Sequence, residues 1–149
     1  MMALKERLQQ DWKEALKSGN KFKANTISTA RSAILLGEKT DGRILEDDEI
    51  VDILAKEVKQ RREAMLEFEK GNRQDLVDSV KAEIEILLSY LPQQLTNEEV
   101  KGIILQVIEE VGANSIKDMG KVMAVVVSKT KGRADGKAVS EIVKKLLNK

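Results

Sequence analysis

The chain has 149 residues, 42% of them hydrophobic and 34% charged, and a formal net charge of +1, which fits one compact folded domain or two small ones. It contains no cysteine and no histidine, which excludes disulfides, thiolate and imidazole metal ligands, a Cys nucleophile and the Ser-His-Asp and Cys-His arrangements. Aromatics make up only 3%, so the core must be aliphatic, and one proline with nine glycines leaves little room for a turn-rich sandwich or barrel. No apolar run approaches the roughly 20 residues of a membrane span. The opening Met-Met-Ala-Leu-Lys-Glu carries no apolar signal segment, so the cytoplasm is the expected compartment and no membrane partner is expected. The charge is unevenly placed: +4 over residues 1–45, −9 over 46–114 and +6 over 115–149. An anionic partner would therefore meet the end of the chain rather than its whole surface.

In chain order the pattern is helical throughout. Leu4, Leu8, Trp12, Ala15 and Leu16 recur at helical spacing, and Gly19 ends that helix. Asn20 is placed to cap a second helix with a buried stripe of Phe22, Ile27, Ala30, Ile34 and Leu35, stopping at Gly37. The segment from Glu38 to Leu45 reads as a loop. Trp12 could serve as a base-stacking platform, but a lone Trp on an apolar stripe reads first as core. Glu46-Asp47-Asp48-Glu49 opens the third helix. Clustered carboxylates can bind Mg²⁺ or Ca²⁺, yet no glycine-bearing calcium loop accompanies these, and the positive end of a helix accounts for them. Ile50, Leu54, Val58, Arg61, Met65 and Phe68 then share one stripe of a helix about 37 Å long.

Gly71-Asn72 breaks that helix. A fourth carries Leu76, Val80, Ile84, Leu87 and Leu91, so the two make an antiparallel hairpin with coiled-coil-like packing. Residue i should then face residue ~143 − i, which sets Lys59 and Arg61 near Lys81, Glu83 and Glu85. The basic run from Lys56 to Arg62 resembles a nucleic-acid patch, but the facing glutamates predict that part of it is taken up by interhelix ion pairs. Pro92 ends the hairpin, since it cannot continue the helical hydrogen bonding.

Thr96-Asn97-Glu98-Glu99 is a capping box for a fifth helix that buries Val100, Ile103, Ile104, Val107, Ile108 and Val111 and ends at Gly112. Ser115 to Asp118 repeats the pattern and opens a sixth, with Met119, Val122, Met123 and Val126 inward. Val125-Val126-Val127 could read as a strand, but the 119-122-123-126 spacing and the lack of a second strand favour helix. A last helix from about Gly136 to Asn148 buries Val139, Ile142, Val143, Leu146 and Leu147. The fold class is thus all-α, with an N-terminal helical domain over 1–92, built on the long hairpin, and a small three-helix domain over 93–149.

Between the last two helices lies a basic turn. Gly132 is expected in the left-handed conformation at a helix end, and Asp135 as the N-cap of the final helix. Lys121, Lys129, Lys131, Arg133 and Lys137 supply the cations of this region, together with Gly132, Asp135 and Gly136 in the backbone of the turn. Cations beside a helix N-terminus form a candidate phosphate site, and a solvated helix–helix turn is the plain structural alternative.

The residues around Pro92, Gly112-Ala113, Asp118-Met119-Gly120-Lys121-Val122-Met123 and Lys131-Gly132-Arg133-Ala134-Asp135-Gly136 resemble the YqeY family over essentially the whole chain. That family is similar to the C-terminal helical and tail region of GatB, a subunit of the tRNA-dependent amidotransferase. The resemblance implies a helical N-terminal part and a tail that contacts tRNA. Gly120, Lys121, Lys131, Gly132, Arg133, Ala134, Asp135 and Gly136 fill its tail pattern. Gln93 stands where a lysine is common, and Asp135-Gly136 where GatB tails tend to have Asp-Pro; the first removes a charge and the second keeps the helix start. GatB's catalytic, ATP-handling domain has no counterpart here, so the label of carbon–nitrogen ligase with glutamine as donor describes the larger enzyme.

The residues themselves agree with that reading. No phosphate loop of P-loop spacing occurs, and Ser128 and Lys129 are adjacent on a helix and point apart. The sequence therefore predicts a non-catalytic module without cofactor or metal that binds tRNA by its backbone shape. Two alternatives remain: an accessory subunit working with a tRNA-linked amidotransferase or synthetase, and a protein adaptor that uses the acidic hairpin.

Overall fold

A computed structural model of the chain describes residues 2–148, and these fold into seven α-helices and one 3₁₀ turn, with no strand among them. The chain divides into two compact units, Met1–Pro92 and Gln93–Lys149. In the first, α1 (Leu4–Lys17) and α2 (Lys21–Asp41) form one hairpin, and α3 (Asp47–Lys70) and α4 (Gln74–Leu88) form another. Leu8 of α1, Ile27, Ala30 and Ile34 of α2, Ile50, Leu54 and Val58 of α3, and Val80, Ile84 and Leu87 of α4 meet in one buried cluster. This aliphatic core is what each helix's apolar stripe requires, since an amphipathic helix gains most of its stability from burying that stripe.

Helix α2 runs through Gly37 to Asp41, with Gly42 left-handed (φ 70°) as its cap, so the predicted stop at Gly37 is corrected. A Cβ built on Gly37 would lie 3.1 Å from Ile53 Cδ1 and 3.2 Å from Leu45 Cδ1, so the glycine admits core side chains rather than ending the helix. The predicted stripe of α2 is corrected as well. Ile27, Ala30 and Ile34 are buried, but Phe22 and Leu35 are 42% and 57% exposed. Leu16 of α1 is also exposed. Trp12 packs against the core, with the Arg31 guanidinium 4.9 Å from its ring centroid, so its ring is structural and already covered.

In the second hairpin Asn72 rather than Gly71 takes the left-handed conformation (φ 55°). Arg61 sits on the apolar stripe of α3 because it is paired on both sides, with Glu57 at 3.1 Å along the helix and Glu83 of α4 at 3.5 Å. This is the predicted interhelix pair. Lys59 forms no such pair among the described residues, so only Arg61 is taken from the basic run. At the acidic start of α3 a local capping interaction that the sequence reading did not single out is present: Glu49 accepts the Glu46 N–H at 3.2 Å and also holds Arg43. No group of three or more potential metal ligands occurs among the described residues.

The second unit comprises α5 (Asn97–Val111), the 3₁₀ turn Ile116–Asp118, α6 (Met119–Thr130) and α7 (Gly136–Leu147). Val100, Ile104 and Val107 of α5, Val122 and Val126 of α6, and Val139, Val143 and Leu147 of α7 form its own core. The capping box of α5 is present, with Thr96 Oγ1 accepting the Glu99 N–H at 3.1 Å and Glu99 accepting the Thr96 N–H at 3.0 Å. At Ser115 the outcome differs. Its hydroxyl accepts the Lys117 N–H, whereas the Asp118 carboxylate accepts the Asn114 N–H at 3.0 Å, and this closes a 3₁₀ turn before α6 begins.

Four carboxyls lie below their ordinary range for reasons visible in this geometry. Glu38 is held down by the Lys5 ammonium at 2.6 Å and the Leu45 N–H, and Asp75 by Arg73. Glu99 is held down by the Thr96 N–H and hydroxyl, and Asp118 by the Asn114 N–H. A depressed folded-state pKa stabilises above the unfolded value, about 4, and that contribution disappears as pH falls through the folded value. The urea midpoint is expected to hold between pH 7 and 5 and to fall toward pH 3. A midpoint at pH 3 equal to that at pH 7 would show that these interactions do not persist in solution.

Candidate nucleic-acid interface

The basic turn is built by local geometry. Helix α6 ends at Thr130, whose hydroxyl is buried and donates to the Val126 carbonyl at 2.9 Å. Lys131 then takes φ −53°, ψ 120°, Gly132 takes φ 73°, and the Arg133 N–H donates to the Thr130 carbonyl at 2.8 Å. This is a type II β-turn, which requires a positive φ at its third residue and therefore favours glycine there. Gly132 is left-handed as predicted, but as a turn residue rather than as a helix cap.

Three hydrogen bonds pin this turn to the segment leading into α5. The Gln94 side-chain amide donates to the Gly132 carbonyl at 2.8 Å, the Leu95 N–H donates to the Arg133 carbonyl at 2.8 Å, and Arg133 Nε donates to the Gln93 carbonyl at 3.2 Å. The sequence contained no signal for this lacing, because it joins groups about 40 positions apart. Arg133 also lies close enough to Glu99 for its charge to help hold that carboxyl down.

Asp135 caps α7 as predicted, its carboxylate accepting the Lys137 N–H at 3.4 Å. That carboxylate occupies part of the position an anion would take at the helix start, so attraction for phosphate rests on the surrounding cations. Lys129, Lys131 and Lys137 are exposed within nine residues of chain, and Asp135 is the sole acid between Lys121 and Lys137. Lys129 also lies 3.5 Å from Glu110 across α5 and α6, an exposed pair of small energetic consequence. Lys121 stands apart from the group. It lies in the first turn of α6, roughly 12 Å along the axis from Lys129, beside Asp118.

A groove missed by sequence reasoning runs beside the first turn of α5. Asn97, Glu141, Ile142, Lys144 and Lys145 line it, and it adds two exposed cations to the same unit.

Two glycines of the turn differ in what they demand. Gly132 needs its positive φ, so Gly132→Ala is expected to cost about 1 kcal/mol. Gly136 begins α7 without a positive φ, and a Cβ there would meet nothing within 4 Å, so Gly136→Ala should leave stability equal or higher. Urea denaturation of both variants checks this, and equal losses would contradict the turn geometry.

An all-helical protein of two compact units, the second carrying a laced basic turn, is the class defined by these features. The chain belongs to the YqeY family: the family's model, described as Yqey-like protein, matches residues 5–147. It is 30% identical over 144 residues to "Altered inheritance of mitochondria protein 41, mitochondrial" of Pyrenophora tritici-repentis, covering 95% of this chain and 79% of that protein. It is 29% identical over 84 residues to "Uncharacterized protein C22F3.15" of Schizosaccharomyces pombe, covering 56% of this chain and 68% of that one. The Kluyveromyces lactis protein with the first of these names is 33% identical over 108 residues, covering 69% of this chain and 57% of its own. Among the described residues no helix is long and apolar enough to cross a membrane.

Proposed function

We propose that this chain is a non-catalytic module of the GatB/YqeY type that grips the phosphate backbone of a folded RNA, tRNA, with the basic turn between α6 and α7. The observation that carries this reading is a group of four cations: Lys131 and Arg133 on a turn held by three hydrogen bonds to residues 93–95, Lys129 in the last turn of α6 and Lys137 at the start of α7. A backbone already held in this turn needs little further ordering on binding, so more of the attraction for phosphate is realised. With 3% aromatics and Trp12 packed against the core under Arg31, base stacking has little to build on, and recognition rests on backbone shape. The cytoplasm is the compartment that goes with this reading, whereas two of the three relatives named above bear "mitochondrial" in their names; fractionation of the cells that make this chain decides between them.

The test is a tRNA titration at several salt concentrations. Engagement of about four phosphates predicts that log K falls against log salt with a slope near −3. Binding that ignores salt would remove the electrostatic mechanism, and no binding at low salt would remove the tRNA reading and direct the search to protein partners.

A further inference from the structure

The outer face of α2 differs from that of every solvent-facing helix a charged chain would be expected to build. Phe22, Asn25, Thr29, Ser32 and Leu36 follow one another at spacings of three, four, three and four residues, and all five are exposed. Ser28 and Leu35 flank them and are exposed as well. No charge interrupts this line for about four turns, or about 21 Å. By contrast, the exposed face of α3 carries Lys56, Lys59, Glu63, Glu67 and Lys70. Leu36 and Leu35 are 66% and 57% exposed and Phe22 is 42% exposed. Asn, Thr and Ser are poorer helix formers than the Lys, Glu or Ala that a merely solvated face would favour. An uncharged line at alternating three- and four-residue spacing is the geometry by which one helix receives the side chains of another.

The charges nearest this line, Lys21 and Lys39, are basic and stand at its two ends, and Asp41, the last residue of α2, lies 3.9 Å from Arg43. Between Glu14 and Glu38 the chain has no acidic residue, but it has Lys17, Lys21, Lys23 and Arg31, and Lys39 follows. None of these five cations forms an ion pair with a carboxylate among the described residues. Arg31 only covers Trp12. Glu38, the nearest acid in sequence, is held by Lys5 and the Leu45 N–H.

We infer that the outer face of α2 is a docking surface for an amphipathic helix of another protein, with small or apolar residues along its contact line and Asp or Glu on its flanks. The uncharged line accounts for a helix rather than an RNA backbone, and the unopposed lysines account for its acidic flanks. The surface belongs to the first unit and the basic turn to the second.

The probe is a labelled synthetic helix of 22 residues, with Leu and Ala on one face and Glu on both flanks. Its anisotropy is followed on titration with the full chain, beside a version whose flanks are Lys. The Glu-flanked helix is expected to saturate and the Lys-flanked one is not. Leu36→Glu should weaken binding about tenfold or more, and Thr29→Leu, which extends the apolar line, should tighten it. Both positions are exposed, so circular dichroism should be unchanged, and Leu36→Glu should bind tRNA as wild type does. Failure of the Glu-flanked helix to saturate, or equal binding by wild type and Leu36→Glu, would overturn the assignment. So would self-association that Leu36→Glu abolishes, which would give the face to a second copy of the chain. Loss of tRNA binding in Lys21→Glu with Lys39→Glu would give it to RNA instead.

Discussion

Reversing Lys131 and Lys137 together, Lys131→Glu with Lys137→Glu, is expected to weaken tRNA binding by about 100-fold at low salt, about a factor of ten for each phosphate no longer gripped. The salt slope should become shallower by about 2. Both side chains are exposed and lie outside the buried core, so the fold should survive, as circular dichroism can verify. Arg133 is the poorer choice for this variant, because its Nε holds the Gln93 carbonyl and its replacement would disturb the turn as well as the charge. The control is Lys56→Glu with Lys59→Glu, which changes the net charge equally but on the α3 face of the other unit. If both double variants lose the same affinity, binding is a property of total charge and the turn is no site.

The second large effect lies in the core beneath that turn. Ile104 is fully buried, in a cluster with Val107, Val122, Val126, Val139 and Val143. Ile104→Ala removes its branched side chain from an aliphatic core and is expected to cost about 3 kcal/mol. A unit of 57 residues has little stability beyond that, so the variant should populate a form in which α5, α6 and α7 are unfolded. Leu105, its neighbour in sequence, is 48% exposed, and Leu105→Ala should change stability by less than ~0.5 kcal/mol. Urea denaturation followed by circular dichroism measures both. Similar midpoints for the two variants would show that the burial of α5 is assigned to the wrong face. Ile104→Ala should also lose tRNA binding, because the segment that pins the turn leads directly into α5.

The sequence alone determined those features whose causes lie within a few residues of one another. The all-helical class follows from spacings of three and four. Thr96 and Glu99 bond each other across one helical turn, and Asp135 caps the amide two positions on. The Arg61–Glu83 pair was legible because an antiparallel hairpin with a short connection leaves one register that brings its two apolar stripes together. The family pattern in the tail was legible for the same local reason, since its residues are contiguous.

The tertiary structure decided what depends on groups distant in the chain. Gly37 looks like a helix stop until Ile53 and Leu45 are seen against it. Phe22 and Leu35 are apolar enough for a core, yet the directions from which α1, α3 and α4 approach α2 leave them outside. Lys121 shares the family pattern with Lys131, but a rigid helix of 12 residues holds the two at opposite ends. The lacing of the turn to Gln93, Gln94 and Leu95 joins a carbonyl or amide to partners that no local propensity can select. Periodicity states that a helix has an apolar face and local bonds state where it starts. Which exposed side chains end up together is set by how the helices pack, a choice made by the summed burial of many distant residues.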